Sequence, residues 1–184
     1  MVSAAPRLEA GASPTRVQRA WRVLAEVLDP EVPALSVCDL GIVRGIAEEG
    51  AEEGAALLVV LTPTYSGCPA TEVIAQAVVD ALQAAGLGPV RTALRRAPAW
   101  SSDWISDEGR RKLRDYGIAP PGRCGDEALQ PAPLRLVRDA CVHIACPRCG
   151  SARTEQLSAF GSTACKALHR CLDCREPFEY FKPV

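Results

Sequence analysis

Four of the nine cysteines fall in two C-x-x-C pairs, Cys146-Pro-Arg-Cys149 and Cys171-Leu-Asp-Cys174, with twenty-one residues between the pairs. Each pair can place two thiolates on one edge of a tetrahedron, and two such knuckles complete a closed four-sulfur site of the structural zinc type. Soft thiolates in that geometry suit Zn2+ first and rubredoxin-type iron second. With all four positions taken by protein, no place is left for a substrate, so the site is expected to hold structure rather than run a reaction. The surrounding segment buries little apolar surface, whereas a structural zinc ion contributes roughly 10–16 kcal/mol to folding at neutral pH.

Cys165 and Cys141 lie close to the knuckles in sequence, with His143 and His169 nearby. One reading makes them a small core residue, a strand residue and two surface imidazoles. The other gives Cys165 an accessory part in metal binding or exchange.

A second candidate lies far upstream. In Leu-Thr-Pro-Thr-Tyr-Ser-Gly-Cys-Pro, Cys68 stands where a loop meets a helix, and Pro69 suits the first helical position. A thiol there meets the positive end of the helix dipole and free N–H groups, which favour the thiolate. A buried small cysteine is the competing reading. The same loop offers the hydroxyls of Thr62, Thr64, Tyr65 and Ser66, while Glu31 and Asp39 come from the Asp-Pro-Glu and Asp-Leu-Gly segments before it. Acidic residues in such turns are ordinarily solvated caps.

The elements that position these groups follow from periodicity. Ser13-Pro14 offers a helix start, and Val17, Ala20, Trp21, Leu24, Val27 and Leu28 recur at helical spacing until Asp29-Pro30 stops them. Strands over 41–46 and 56–62 form a hairpin around the acidic Ala-Glu-Glu-Gly turn, and the second leads through the Cys68 loop into a helix. Val73, Ile74, Ala77, Val78, Ala81 and Leu82 mark that helix's apolar face, and Gly86 closes it. A third strand near 90–94 and a short helix, capped by Ser106 and ended by Gly117, complete the unit. Strands at 154–160, 166–170 and after Cys174 build the ribbon. The expected fold is α+β, a small three-stranded sheet packed with helices, followed by an all-β zinc ribbon with four cysteine ligands. Its division is a flexible leader at 1–13, an α/β domain at 14–118, a Pro/Gly-rich linker at 119–140 and the ribbon at 141–184.

No apolar run reaches the roughly 20 residues of a membrane span, and the start shows no signal-peptide core, so a cytoplasmic protein without membrane attachment is expected. Cysteine pairs in that reducing compartment indicate metal or thiol chemistry rather than disulfides. Net charge is −1, and from Arg135 onward eight Lys/Arg face five Asp/Glu, with no basic stripe. Nucleic acid is therefore not an expected partner.

Asp-Pro-Glu-Val-Pro-Ala-Leu-Ser-Val-Cys-Asp-Leu-Gly together with Thr-Pro-Thr-Tyr-Ser-Gly-Cys-Pro resembles the signature of the small domain shared by SufT-like and cytosolic iron–sulfur targeting proteins, over about 17–118. The Ala-Trp-Ser-Ser-Asp-Trp segment and the ribbon extend the resemblance to the D subunits of the bacterial phenylacetyl-CoA epoxidase system, the PaaD (PaaJ) family. The resemblance implies a cytoplasmic accessory protein of aerobic phenylacetate degradation, without catalysis of its own. It would mature the iron–sulfur cluster or di-iron centre of its partners, the oxygenase subunits or the flavin and iron–sulfur reductase. A homodimer is a further candidate assembly. The resemblance maps the functional thiol onto Cys68 and candidate iron or cluster partners onto Glu31 and Asp39, with Thr64 beside them. Zn2+ in the ribbon and transient iron or an iron–sulfur cluster at Cys68 are the implied cofactors. Cys38 and Cys124 match no motif. An integral electron-transfer or structural subunit, and a ribbon acting as a binding adaptor, are the competing readings.

Overall fold

The computed structural model describes residues 14–50, 55–65, 67–122 and 144–184. The leader at 1–13, most of the linker, and Ser66, Cys124, Cys141 and His143 lie outside the described residues.

Helix α1 (Arg16–Leu24) starts from Thr15 rather than Ser13. The Thr15 hydroxyl accepts from the Gln18 amide at 3.2 Å, and the Gln18 side chain accepts from the Thr15 amide at 2.9 Å, a reciprocal box that satisfies two otherwise orphaned donors. The helix ends four residues before Leu28. The Asp-Pro-Glu-Val-Pro loop folds back on 25–29, so that Asp29 N donates to Leu35 O at 2.8 Å and Val37 N to Val27 O at 2.9 Å. Those tertiary bonds replace the last helical turn, and Leu28 is left exposed.

Strands β1 (Val43–Glu49) and β2 (Ala56–Leu61) pair antiparallel, and β3 (Val90–Leu94) pairs parallel to β2, giving the sheet order β1-β2-β3. The parallel pairing requires a crossover, which helix α2 (Thr71–Ala84) supplies. Leu57, Val59 and Leu61 alternate into the core, where Ile74, Val78 and Leu82 meet them at i, i+4, i+8 spacing. Val73, expected on that face, is exposed. Helix α3 (Asp107–Tyr116) follows the sequence signals: the Ser106 hydroxyl accepts from Gly109 N at 2.8 Å, and Gly117 closes the helix at φ +94°. Gly41 also requires a missing side chain, since its φ is +66° and an added Cβ would lie 2.6 Å from Trp104 O.

The second sheet has four strands in the order β4-β7-β6-β5, from β4 (Ile118–Ala119), β5 (Thr154–Ser158), β6 (Lys166–Cys171) and β7 (Pro177–Phe181). The strand missed by sequence reading, β4, is two residues directly after α3 that run parallel to β7. Along β7 the period of two splits the aromatics. Phe178 and Tyr180 enter the small ribbon core with Ile144, Ala167, Cys146 and Cys171, while Phe181 on the opposite face enters the large core. There its ring lies 6.0 Å from that of Trp100. Ser102 N donates to Val184 O at 3.2 Å, fastening the C-terminal residues to the segment before α3.

Candidate functional site

The two knuckles come together as their spacing predicts. The Sγ atoms of Cys146, Cys149, Cys171 and Cys174 all lie within 4.8 Å of one another, with Cys146 to Cys174 at 3.8 Å and Cys149 to Cys171 at 3.5 Å. Both knuckles turn the same way. Gly150 after Cys149 and Arg175 after Cys174 each take a left-handed conformation, at φ +74° and +67°. Backbone N–H groups of Cys174 and Asp173 pull the Cys171 thiol down to about 7. The Glu176 amide likewise pulls on Cys174, but desolvation and hydrogen bonds among the crowded thiols push it up to about 12, and Cys149 is left raised, so an incoming metal ion must displace the remaining thiol protons. The donor set therefore fits one tetrahedral thiophilic ion. His169 corrects an expectation: it is not a surface imidazole but is buried between Phe178 and Tyr180, and that burial lowers its pKa.

Cys68 lies one turn short of the helix rather than immediately before it, because Pro69 is not the first helical residue. Helix α2 starts at Thr71 after Ala70, and Pro69 and Ala70 form a turn in which both the Thr71 amide and hydroxyl donate to Cys68 O. Cys68 lines a cleft together with Asp29, Glu31, Thr64, Cys165 and Phe181, among apolar neighbours that include Ile42 and Leu61. Burial raises the Cys68 pKa, and Glu31 and Asp29 add to it; the Ala70 amide and Thr71 hydroxyl pull the other way without prevailing. The thiolate stabilisation expected from a helix terminus is thus overridden by desolvation and two facing carboxylates.

Of the sequence candidates, Cys68, Glu31, Thr64 and Cys165 share this cleft, and Asp39 does not line it. The Asp39 carboxylate pairs with Lys112 Nζ at 2.8 Å and accepts from Ser36 N, Ser36 Oγ and Ser106 Oγ at 3.1, 3.0 and 3.2 Å. Burial raises its pKa, but Lys112 and Ser36 more than offset that and leave it lowered. It joins the Asp-Leu-Gly turn to α3. Cys38, partly buried beside Asp39, is pushed up to about 12 by burial and that neighbouring charge.

Three residues of the cleft region escaped sequence reading. Asp29 served there only as a helix stop, yet its Oδ1 accepts from Glu31 N at 2.9 Å and Val32 N at 2.8 Å, and burial raises its pKa. An Asp before Pro with two following amides in reach is a local turn signal that could have found it. Lys166, 3% exposed, pairs with Glu179 at 2.8 Å and faces Asp29 and Glu31 electrostatically. Phe181 carries no local signal, because its partner Trp100 is distant in sequence.

The comparisons with known proteins follow this division of the molecule. Residues 18–94 match the family described as iron–sulfur cluster assembly protein, and residues 130–182 match the PaaD zinc beta ribbon domain. A protein of Escherichia coli K12, provisionally named as the D subunit of 1,2-phenylacetyl-CoA epoxidase, is 44% identical over 94% of this chain and 96% of its own length. The chain belongs to the family of phenylacetyl-CoA epoxidase D subunits. Among solved structures, a domain of unknown function, DUF59, from Bacillus anthracis matches this D-subunit family member with TM-score 0.48 and 23% identity over 53% of the chain and 91% of that domain. A conserved hypothetical protein from Thermotoga maritima matches with TM-score 0.42 and 27% identity over 51% and 89%. No described helix is long and apolar enough to cross a membrane.

Proposed function

We propose that this chain is a cytoplasmic accessory subunit of a phenylacetyl-CoA epoxidase system and acts there as a maturation factor, passing iron or an iron–sulfur cluster to a partner metalloprotein. The observation that carries the reading is the cleft in which Cys68 meets Glu31, Thr64 and Cys165 in a largely apolar wall. Iron in this scheme is cargo. Cys68 would hold it through sulfur and Glu31 through oxygen, both lining the cleft. A thiol kept neutral by burial releases its proton only when a cation arrives, which suits transient loading better than permanent storage. Asp39 supports the site at a distance by fixing the turn before β1 against α3.

The ribbon is proposed to hold one Zn2+ through Cys146, Cys149, Cys171 and Cys174 and to present a docking surface for the client, either the oxygenase subunits or the reductase. The test is co-expression of Cys68→Ala with the oxygenase subunits and reductase. The variant is expected to fold and retain zinc while the client is recovered short of iron; full iron occupancy would refute the maturation role. Iron in the ribbon, visible as ferric-thiolate colour, would instead support an electron-transfer role within the complex.

A further inference from the structure

The cleft beside Cys68 is not closed by the α+β domain alone. Cys165 and Phe181, both ribbon residues, line it as well. They are fastened to each other at one end of the β6–β7 pair: Lys182 N donates to Cys165 O at 2.9 Å, and Lys166 stands opposite Phe181 in the strand register. Glu179 of β7 clasps the loop that carries Cys165, accepting from Ser162 N at 2.6 Å and pairing with Lys166 Nζ at 2.8 Å. The same two strands hold the metal site. Strand β6 runs from Lys166, next to Cys165, to the ligand Cys171, and β7 sends Phe178 and Tyr180 into the small core with Cys146 and Cys171. We propose that the ribbon is a metal-dependent lid on Cys68: with zinc bound, β6 and β7 close one side of the cleft, and loss of the metal removes that side and opens the thiol. The inference goes beyond the maturation reading, since it concerns access to Cys68 whatever the thiol carries.

Metal loss acts on the lid and spares the domain beneath it. The small core has few apolar side chains beyond Phe178 and Tyr180, and two of its buried members, Cys146 and Cys171, are metal ligands, so without the ion its strands lose their main support. The opposing ties are the burial of Phe181, the two-residue pairing of β4 with β7, and the bond from Ser102 N to Val184 O at 3.2 Å. One buried side chain and a few backbone bonds stabilise less than a structural zinc ion does. Among the described residues, the large core draws its buried members from residues 20–118 except for Phe181. Helix α2 and the Cys68 loop before it therefore keep their packing when the ribbon comes away.

The full chain is pulse-labelled with N-ethylmaleimide, zinc-loaded and after zinc removal by a chelator, and the rate at each cysteine is read by peptide-resolved mass spectrometry. Zinc removal is expected to speed labelling of Cys68 and Cys165 roughly tenfold or more, and restored zinc returns the slow rates. Cys38, which packs against the large core and does not line the cleft, keeps its rate throughout. Cys171→Ser, which cannot complete the metal site, shows the fast Cys68 rate without chelator. Phe181→Ala retains its zinc yet labels faster at Cys68 than wild type, because the side chain that closes the cleft is gone. A Cys68 rate indifferent to zinc removal, with the loss of zinc verified by native mass spectrometry, overturns the lid. Acceleration of Cys38 in step with Cys68 also overturns it, since the whole chain then unfolds rather than opening at the ribbon.

Discussion

Replacing Phe181 with alanine tests whether the ribbon and the α+β domain are one cooperative unit. Phe181 is 1% exposed and belongs to the large core, although it sits on a ribbon strand. Truncating a buried Phe costs about 3–5 kcal/mol, from lost transfer energy and the cavity left behind. The tilted contact with Trp100 at 6.0 Å places the substitution toward the upper part of that range. For a chain of this size each kcal/mol moves Tm by about 2–4 °C, so the expected fall is roughly 6–20 °C. The assay is calorimetry of the zinc-loaded protein, with Trp fluorescence followed in parallel because Trp100 reports on the large core. One transition shifted as a whole is the expected result. A thermogram in which the large-core transition keeps its wild-type Tm, and only a small ribbon transition moves, refutes the reasoning that β7 completes the core of the other domain.

Other consequences follow from the same structure. Cys171→Ser, or a strong chelator, is expected to release the ribbon metal and unfold the ribbon, since roughly 10–16 kcal/mol of its folding rests on the ion; zinc analysis with circular dichroism checks it, and a folded apo-ribbon would contradict it. At pH 7, Cys68 is expected to alkylate slowly, with a rate that climbs through the alkaline range because its pKa is raised. Glu31→Gln removes one of the charges opposing the thiolate and should speed alkylation a few-fold, whereas an unchanged or slower rate counts against the facing-carboxylate geometry. Asp39 has a lowered folded-state pKa, so its contribution is fully present above the unfolded carboxylate value of about 3.9 and is lost as pH falls through the folded value. Lys112→Met should therefore move the acid-unfolding midpoint upward, and an unmoved midpoint in a pH-jump titration would show that the pair is idle. Gly41→Ala, strained at positive φ and colliding with Trp104, should destabilise by more than about 1 kcal/mol in urea unfolding.

Much was legible before any fold was known because its signals are local. The two C-x-x-C knuckles, the Ser106 cap with Gly117 at the far end of α3, and the alternation of Leu57, Val59 and Leu61 depend on neighbours within a few residues, so spacing alone determined them. The family signature marked Cys68 together with Glu31, Asp39 and Thr64, of which Glu31 and Thr64 line its cleft.

Tertiary structure decided what distance in the chain conceals. Asp39 and Glu31 look alike in sequence, yet only Glu31 reaches the cleft, because Lys112, 73 residues away, takes up the Asp39 carboxylate. Cys68 has the sequence of a dipole-activated thiol, but burial and opposing carboxylates keep its proton on. Cys165 and Phe181 read as ribbon residues until β4 and β7 dock the ribbon on the larger core and turn both toward the other domain. Local spacing determined which residues could ligate a metal; long-range packing determined their neighbours, and with them their charge and reach.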